Sequence, residues 1–192
     1  MRKLSFIVIL LALSLFPGIS FSELVTNGGF ETGDFTGWTV TPAPVGSDFG
    51  VSTAYPHTGL YAAYFGAVST YNDSISQALA TIPGQAYTLT YSLTHPYPAS
   101  ANDFQVTWGG TTLQDLIDYG SFPYNTFTLD VTATSTPTIL QFSGLEVPAF
   151  YYLDDVSVTG AAAEVPEPTT MLLLGSGLIG LAGYGRKKFF KK

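Results

Sequence analysis

The chain has 192 residues, no cysteine, a formal net charge of −7, and 15% aromatic against only 11% charged residues. All seven Lys and Arg lie at the two ends (Arg2, Lys3, Arg186, Lys187, Lys188, Lys191 and Lys192), so residues 23–164 hold neither, while they hold every Asp and Glu of the chain except Glu167. This excludes nucleic acid as a partner, since phosphate neutralisation needs Lys or Arg; it disfavours anionic lipid surfaces, and it leaves roughly 140 residues to bury a core without disulfides.

In chain order, Met1-Arg2-Lys3 is basic, residues 4–16 are apolar apart from Ser5 and Ser14, and Pro17-Gly18 breaks the run. Ser20 and Ser22 then stand at the −3 and −1 spacing for a cut after Ser22. Together these features make residues 1–22 a secretory signal peptide, to be set aside from the fold. Residues 23–160 read as one all-β domain. Short strands are expected at 24–26, 38–41, 50–53, 60–65 and 73–81. Alternation of large and polar residues with period two then marks strands at 87–94, 104–108, 127–132 and 139–142, and residues 156–159 give the last. Asn27-Gly28-Gly29, Pro83-Gly84 and Gly109-Gly110 punctuate them. Residues 113–119 are the one place where a helical turn is expected. About ten short strands with regular turns make a β-sandwich or barrel.

Residues 161–170 form a spacer and a proline-bracketed acidic hinge. The run 171–185, MLLLGSGLIGLAGYG, carries no charge. Counting Thr169 and Thr170, it reaches the short edge of the roughly 17–25 residues a membrane-spanning helix needs. The basic tail 186–192 would stay cytoplasmic. The topology expected is a signal peptide, an exported domain and a single C-terminal transmembrane helix.

Val165-Pro166-Glu167-Pro168, the Gly-containing apolar run and the basic terminus, in that order, resemble the PEP-CTERM sorting tail of Gram-negative bacteria. The resemblance implies an exosortase-type membrane protease as a partner and the inner membrane as a transient anchorage. The destination it implies is the cell envelope, surface or extracellular matrix of an exopolysaccharide-producing host. A second resemblance runs through the domain. Leu24-Val25-Thr26-Asn27-Gly28-Gly29-Phe30-Glu31 with Gly37-Trp38, then His57-Thr58-Gly59-Leu60-Tyr61-Ala62, Ser76-Gln77 with residues 83–91, and Tyr151-Tyr152-Leu153-Asp154-Asp155-Val156-Ser157-Val158 are similar to elements of carbohydrate-binding-module-like sandwiches. That resemblance implies a jelly roll of the galactose-binding-like type.

In such a fold the first and last strands lie close, which would bring Glu31 to Asp154 and Asp155. Clustered carboxylates need neutralising, and related modules hold a structural Ca²⁺ there. Glu31 and Asp154, with Asp155, are therefore the expected Ca²⁺ ligands. The alternative has Glu31 capping a turn and Asp154 accepting from backbone N–H groups. Asp48, Asp73 and Asp103 read as solvated. Trp38 and Trp108 read as core. Sugar rings stack their C–H faces on aromatic rings, and the loop aromatics Tyr55, Tyr71, Tyr97, Phe122 and Tyr124 form the expected glycan-binding rim. Catalysis has little support: the two histidines, His57 and His95, form no metal pair, and no Gly-x-Ser-x-Gly elbow occurs. The sequence thus points to a non-enzymatic, exported polysaccharide-binding protein. A purely structural matrix protein is the alternative, and a glycoside hydrolase of the same polymer the next.

Overall fold

A computed structural model describes residues 21–68, 70–97 and 101–161, of which Ser20–Ala161 is the compact unit. The predicted signal peptide up to residue 20, the sorting motif, the helix at 171–185 and the basic tail lie outside the described residues. Eleven strands are present: β1 (Phe21–Glu23), β2 (Thr39–Thr41), β3 (Phe49–Ser52), β4 (Ala62–Phe65), β5 (Asp73–Leu79), β6 (Ala86–His95), β7 (Ala101–Trp108), β8 (Thr111–Ile117), β9 (Phe122–Thr132), β10 (Thr138–Val147) and β11 (Tyr151–Ala161). They form two antiparallel sheets. One runs β3-β4-β11-β6-β9, with β1 on the far part of β11; the other runs β2-β5-β10-β7-β8.

Period-two patterning decides which faces meet. On β6 the residues Tyr87, Leu89, Tyr91, Leu93 and His95 are buried toward the opposite sheet. On β7 and β10, Phe104, Val106, Trp108, Leu140 and Phe142 answer them. The middle of this interface is aromatic: Tyr91 stacks on Phe127 at 5.2 Å and meets Phe142 edge-on at 5.3 Å. Phe142 in turn meets Trp38 at 6.1 Å and Phe104 at 6.3 Å. The burial of both tryptophans is completed by their N–H groups, Trp38 Nε1 donating to Asn27 O at 3.1 Å and Trp108 Nε1 to Thr132 O at 3.0 Å.

Four expectations are corrected. The segment read as a helical turn is β8. A bulge between the pairs Val106–Gln114 and Thr107–Thr112 inserts Leu113, so that Leu113 and Leu116 both reach the core and imitate helical spacing. The first strand is Phe21–Glu23 rather than 24–26. It crosses the expected cut, with Phe21 and Ser22 paired to Ala161 and Gly160. The strand expected at 127–132 begins five residues earlier, which takes Phe122 and Tyr124 out of a loop. Asp73 is fully buried rather than solvated: its carboxylate accepts from Ala43 N, Ser47 Oγ and Asp48 N at 2.6–3.0 Å.

The Asn-Gly-Gly turn has a steric basis. Val156 N donates to Gly28 O at 2.9 Å, and a Cβ on Gly28 would lie 1.8 Å from Val156 O. Gly28→Ala should therefore cost at least about 2 kcal/mol, through displacement of β11; a thermal melt that matches the wild type would contradict this.

Among the polar contacts between the sheets is that of His95 Nε2 with Glu146 Oε1, both residues without solvent exposure. His95 Nδ1 and Glu146 Oε2 find no partner. Burial pushes Glu146 up to about 8 and His95 below its ordinary value. Above the ordinary carboxylate range the folded chain retains a proton that the unfolded chain releases. The stability that Glu146 contributes is thus full below about pH 4.5 and is lost as pH rises through 8. His95 acts on the other side, where stability falls as pH drops below 6.5. Glu146→Gln should flatten the decline in denaturant midpoint between pH 5 and 8, and a slope identical to the wild type would refute the assignment.

Candidate functional site

The outer face of the six-stranded sheet carries the residues that sequence reasoning linked to binding. On β6 Thr88, Thr90, Ser92 and Thr94 point away from the opposite sheet, and Ser92 and Thr94 are buried there as well. Tyr152 pairs with Thr94 and Asp154 with Ser92, which puts Tyr152 and Asp154 on the same face. The β11–β6 register then shifts after Asp154, and Asp155 adopts a left-handed φ of 50°. This bulge turns both aspartates toward one dipeptide in the β3–β4 connection. Asp154 Oδ2 accepts from His57 N at 2.8 Å and Thr58 N at 3.1 Å, and its Oδ1 accepts from Asp155 N at 2.7 Å. Asp155 takes the side chains: Oδ2 accepts from His57 Nδ1 and Oδ1 from Thr58 Oγ1, both at 2.5 Å. Burial raises the Asp154 pKa, and the three N–H donors oppose that rise.

Glu31 holds the next part of the same connection. Its Oε1 accepts from Leu60 N at 2.9 Å and Tyr61 N at 3.1 Å, and Oε2 lies 3.1 Å from Leu60 N. A Cβ on Gly59 would stand 2.3 Å from Glu31 Oε1, so the turn needs glycine there, at φ +64°. Glu31 and Asp154 do come together, both within 4 Å of a Cβ built on Gly29.

Calcium ligation was expected because a domain without Lys or Arg seemed to offer these carboxylates no other partner. The structure supplies partners as backbone N–H groups for Glu31 and Asp154, and as the His57 and Thr58 side chains for Asp155. Among the described residues no group of three or more His, Cys, Asp or Glu is placed to hold a metal ion. Glu31 and Asp154 are thus held as the alternative expectation had it, by backbone N–H groups of a turn.

Folded down by this clamp, the connection lays aromatic rings over the sheet. Tyr55 packs on Tyr152 at 4.8 Å, leaving Tyr152 only 6% exposed, and meets Tyr97 edge-on at 6.1 Å. Phe150 links Tyr152, at 6.1 Å, to Tyr64, at 5.2 Å. On the other side the His57 ring lies 4.7 Å from Tyr124. Hydroxyls tie the row together: Tyr124 Oη donates to Tyr55 O, and the Tyr55 and Tyr97 hydroxyls share a bond, both at 2.5 Å. That shared bond, followed by burial, raises the Tyr55 pKa. Burial raises that of Tyr124, with the charges of Asp154 and Asp155 adding to it.

Three of the five expected rim residues, Tyr55, Tyr97 and Tyr124, therefore converge. Phe122 does not join them. It pairs with His95 and packs its ring against the His95 and Tyr119 rings, at 6.1 and 5.7 Å, on the edge of the core. Tyr71 belongs to the other sheet, beside Asn72, which donates to Asp103 Oδ2 on β7 at 2.9 Å. Tyr152, Phe150, Tyr64 and His57 were missed. The Tyr151-Tyr152 pair held a usable clue: with period two, one ring must face out, and Tyr151 is the one in the core.

Burial raises the pKa of Asp103 on β7, the bond from Asn72 opposes that rise, and Asp115 on the neighbouring β8 adds to it.

Residues 164–187 match the PEP-CTERM protein-sorting motif. No curated protein matches the chain. Among solved structures, the chain is similar to TmCBM61 in complex with β-1,4-galactotriose (21% identity, TM-score 0.52, 71% of this chain and 97% of that one). It is also similar to the CBM22-1 xylan-binding domain of Xyn10C from Paenibacillus barcinonensis (14%, 0.55, 77% and 100%). A third is the K1 cleaved adhesin domain of Lys-gingipain from Porphyromonas gingivalis W83 (13%, 0.56, 74% and 99%). The domain has the β-sandwich fold of carbohydrate-binding modules, and the chain carries a PEP-CTERM sorting motif behind it.

Asp154→Asn replaces an acceptor with an amide that faces N–H groups. It should cost about 1–3 kcal/mol and loosen residues 57–58, and the wild-type melt should be the same in EDTA and in Ca²⁺. A melting temperature that drops on chelation would restore the metal reading.

Proposed function

We propose that this protein binds polysaccharide on the outer face of its six-stranded sheet, without catalysing a reaction. Its sorting motif would deliver it, through an exosortase-type protease, to the cell envelope or extracellular matrix. The observation that carries the reading is the contiguous row Tyr64, Phe150, Tyr152, Tyr55 and Tyr97, flanked by Tyr124 and His57. Tyr97 is 51% exposed at its end. An aromatic face offers the apolar side of a sugar a surface, and the half-exposed His57 imidazole beside it is a polar neighbour. The solved relatives that bind a galactotriose and xylan share the fold, which makes a glycan ligand the natural one to test.

Because a loop clamped by three carboxylates sets the rings in place, little ordering is left to pay on binding. Tyr97→Ala removes an exposed ring without touching that clamp. It should weaken binding of the full chain to its polysaccharide about tenfold, or about 1.4 kcal/mol, with an unchanged melt, in co-sedimentation with insoluble glycans. Failure of the folded wild-type protein to bind any polymer would leave a structural matrix role in its place.

A further inference from the structure

Two cuts satisfy the sequence rule for removal of the leader. Small residues stand at −3 and −1 for a cut after Ser22, as Ser20 and Ser22, and equally for a cut after Ser20, as Gly18 and Ser20. The two products differ by Phe21 and Ser22 alone, and β1 distinguishes them. Phe21 pairs with Ala161, Ser22 with Gly160 and Glu23 with Thr159. Leu24 N carries the ladder on, donating to Val158 O at 3.0 Å. Glu23 then fastens the corner. Its Oε1 accepts from Val25 N at 2.8 Å and from Val158 N at 3.0 Å, and its Oε2 accepts from Ser157 Oγ. The N-terminal strand is thus bound to the last five residues of β11, the point from which the chain leaves the domain.

A cut after Ser22 would remove two of the three β1 pairs from that point. The Ser22–Glu23 bond also lies inside the strand. A protease takes its substrate as an extended, unpaired chain, so a bond within a ladder is cut only after local opening. Ser20–Phe21 is instead the bond at which β1 begins. Folding of the exported domain ahead of cleavage protects the first bond and leaves the second at the edge of the strand. We infer that the leader is removed by hydrolysis of the Ser20–Phe21 bond, so that the exported chain begins at Phe21 with β1 whole. The amide C–N bond breaks; water supplies the hydroxyl that completes the Ser20 carboxyl group and the hydrogen that completes the Phe21 amine. The catalyst is a leader peptidase of the inner membrane. The inference is independent of the polysaccharide reading.

The test starts from the full chain, produced in a Gram-negative host and recovered from envelope and medium, with its N-terminus read by Edman degradation and by the mass of the first peptide. Phe21 is the expected first residue; Glu23, or an uncut Met1, would overturn the inference. Two substitutions then place a bulky residue at each of the two −1 positions. Ser20→Leu should abolish the Phe21 end, while Ser22→Leu should leave it in place, and the reverse pattern would overturn the assignment. A third variant tests what β1 contributes to the fold. Deleting Phe21 and Ser22 joins Ser20 to Glu23, so the processed chain begins at Glu23 with one β1 pair left. Its melting temperature should fall by at least about 2 °C relative to the processed wild type. Equal melts would mean that the paired residues add nothing to the fold, and the structural ground for a cut at Ser20–Phe21 would be gone.

Discussion

With neither lysine nor arginine between residues 23 and 164, each carboxylate inside the domain must be satisfied by neutral donors. Backbone N–H groups are the most numerous of these, and the fold is arranged to deliver them. Asp73 gathers Ala43, Ser47 and Asp48; Asp154 gathers His57, Thr58 and Asp155; Glu31 gathers Leu60 and Tyr61. Glu23 takes Val25 and Val158 in the same manner. In each case a side chain on a strand or turn fixes a connection that has no regular structure of its own. Hydrogen bonds to an ionised acceptor contribute more than neutral ones, about 1.5–3 kcal/mol each. The price of the arrangement shows at Glu146, whose buried partner is a histidine and which finds no N–H group for its second oxygen.

The aromatic face depends on these clamps. Tyr55 and His57 belong to a connection whose course over the sheet is set by Glu31, Asp154 and Asp155 rather than by its own packing. Folding and the proposed recognition therefore meet at one place: the carboxylates that hold the connection also set the course of Tyr55 and His57 over the sheet. An acidic domain of this kind gains rigidity without cationic side chains, and the same absence narrows what it can hold.

Much of the architecture was legible. Strand β7 announces itself because one face is buried and the other is not, so size and polarity alternate. The bulged β8 hid because Leu113 and Leu116 both reach the core, and an inserted residue destroys the period on which the reading relies. The proximity of Glu31 to Asp154 also followed from the strand order expected of the fold. That Glu31 caps a turn and Asp154 accepts from backbone N–H groups stood only as the alternative, since main-chain donors leave no mark on side-chain identity. Asp73, read as solvated, was hidden for the same reason. His57 looked like a loop histidine because Asp155, which bonds its Nδ1, approaches only after β11 crosses back beside β4. Phe122 misled for a simpler reason: its flanking proline suggested a loop where a strand begins.

Strand β11 has a mechanical consequence. Tyr152, Asp154 and Asp155 lie near its start, and the chain leaves its end at Ala161 to enter the sorting segment. Tension between a polymer held on the aromatic face and an attachment beyond Ala161 would run along this one strand. β11 is laced to β6 from Tyr152 to Gly160, and to β4 from Tyr151 to Leu153, so the load would be spread over lateral bonds pulled in shear rather than opened one at a time. The two sheets need not slide past each other to bear it. A load of this kind would fall on a strand paired on both sides, to β6 on one and to β4 and β1 on the other.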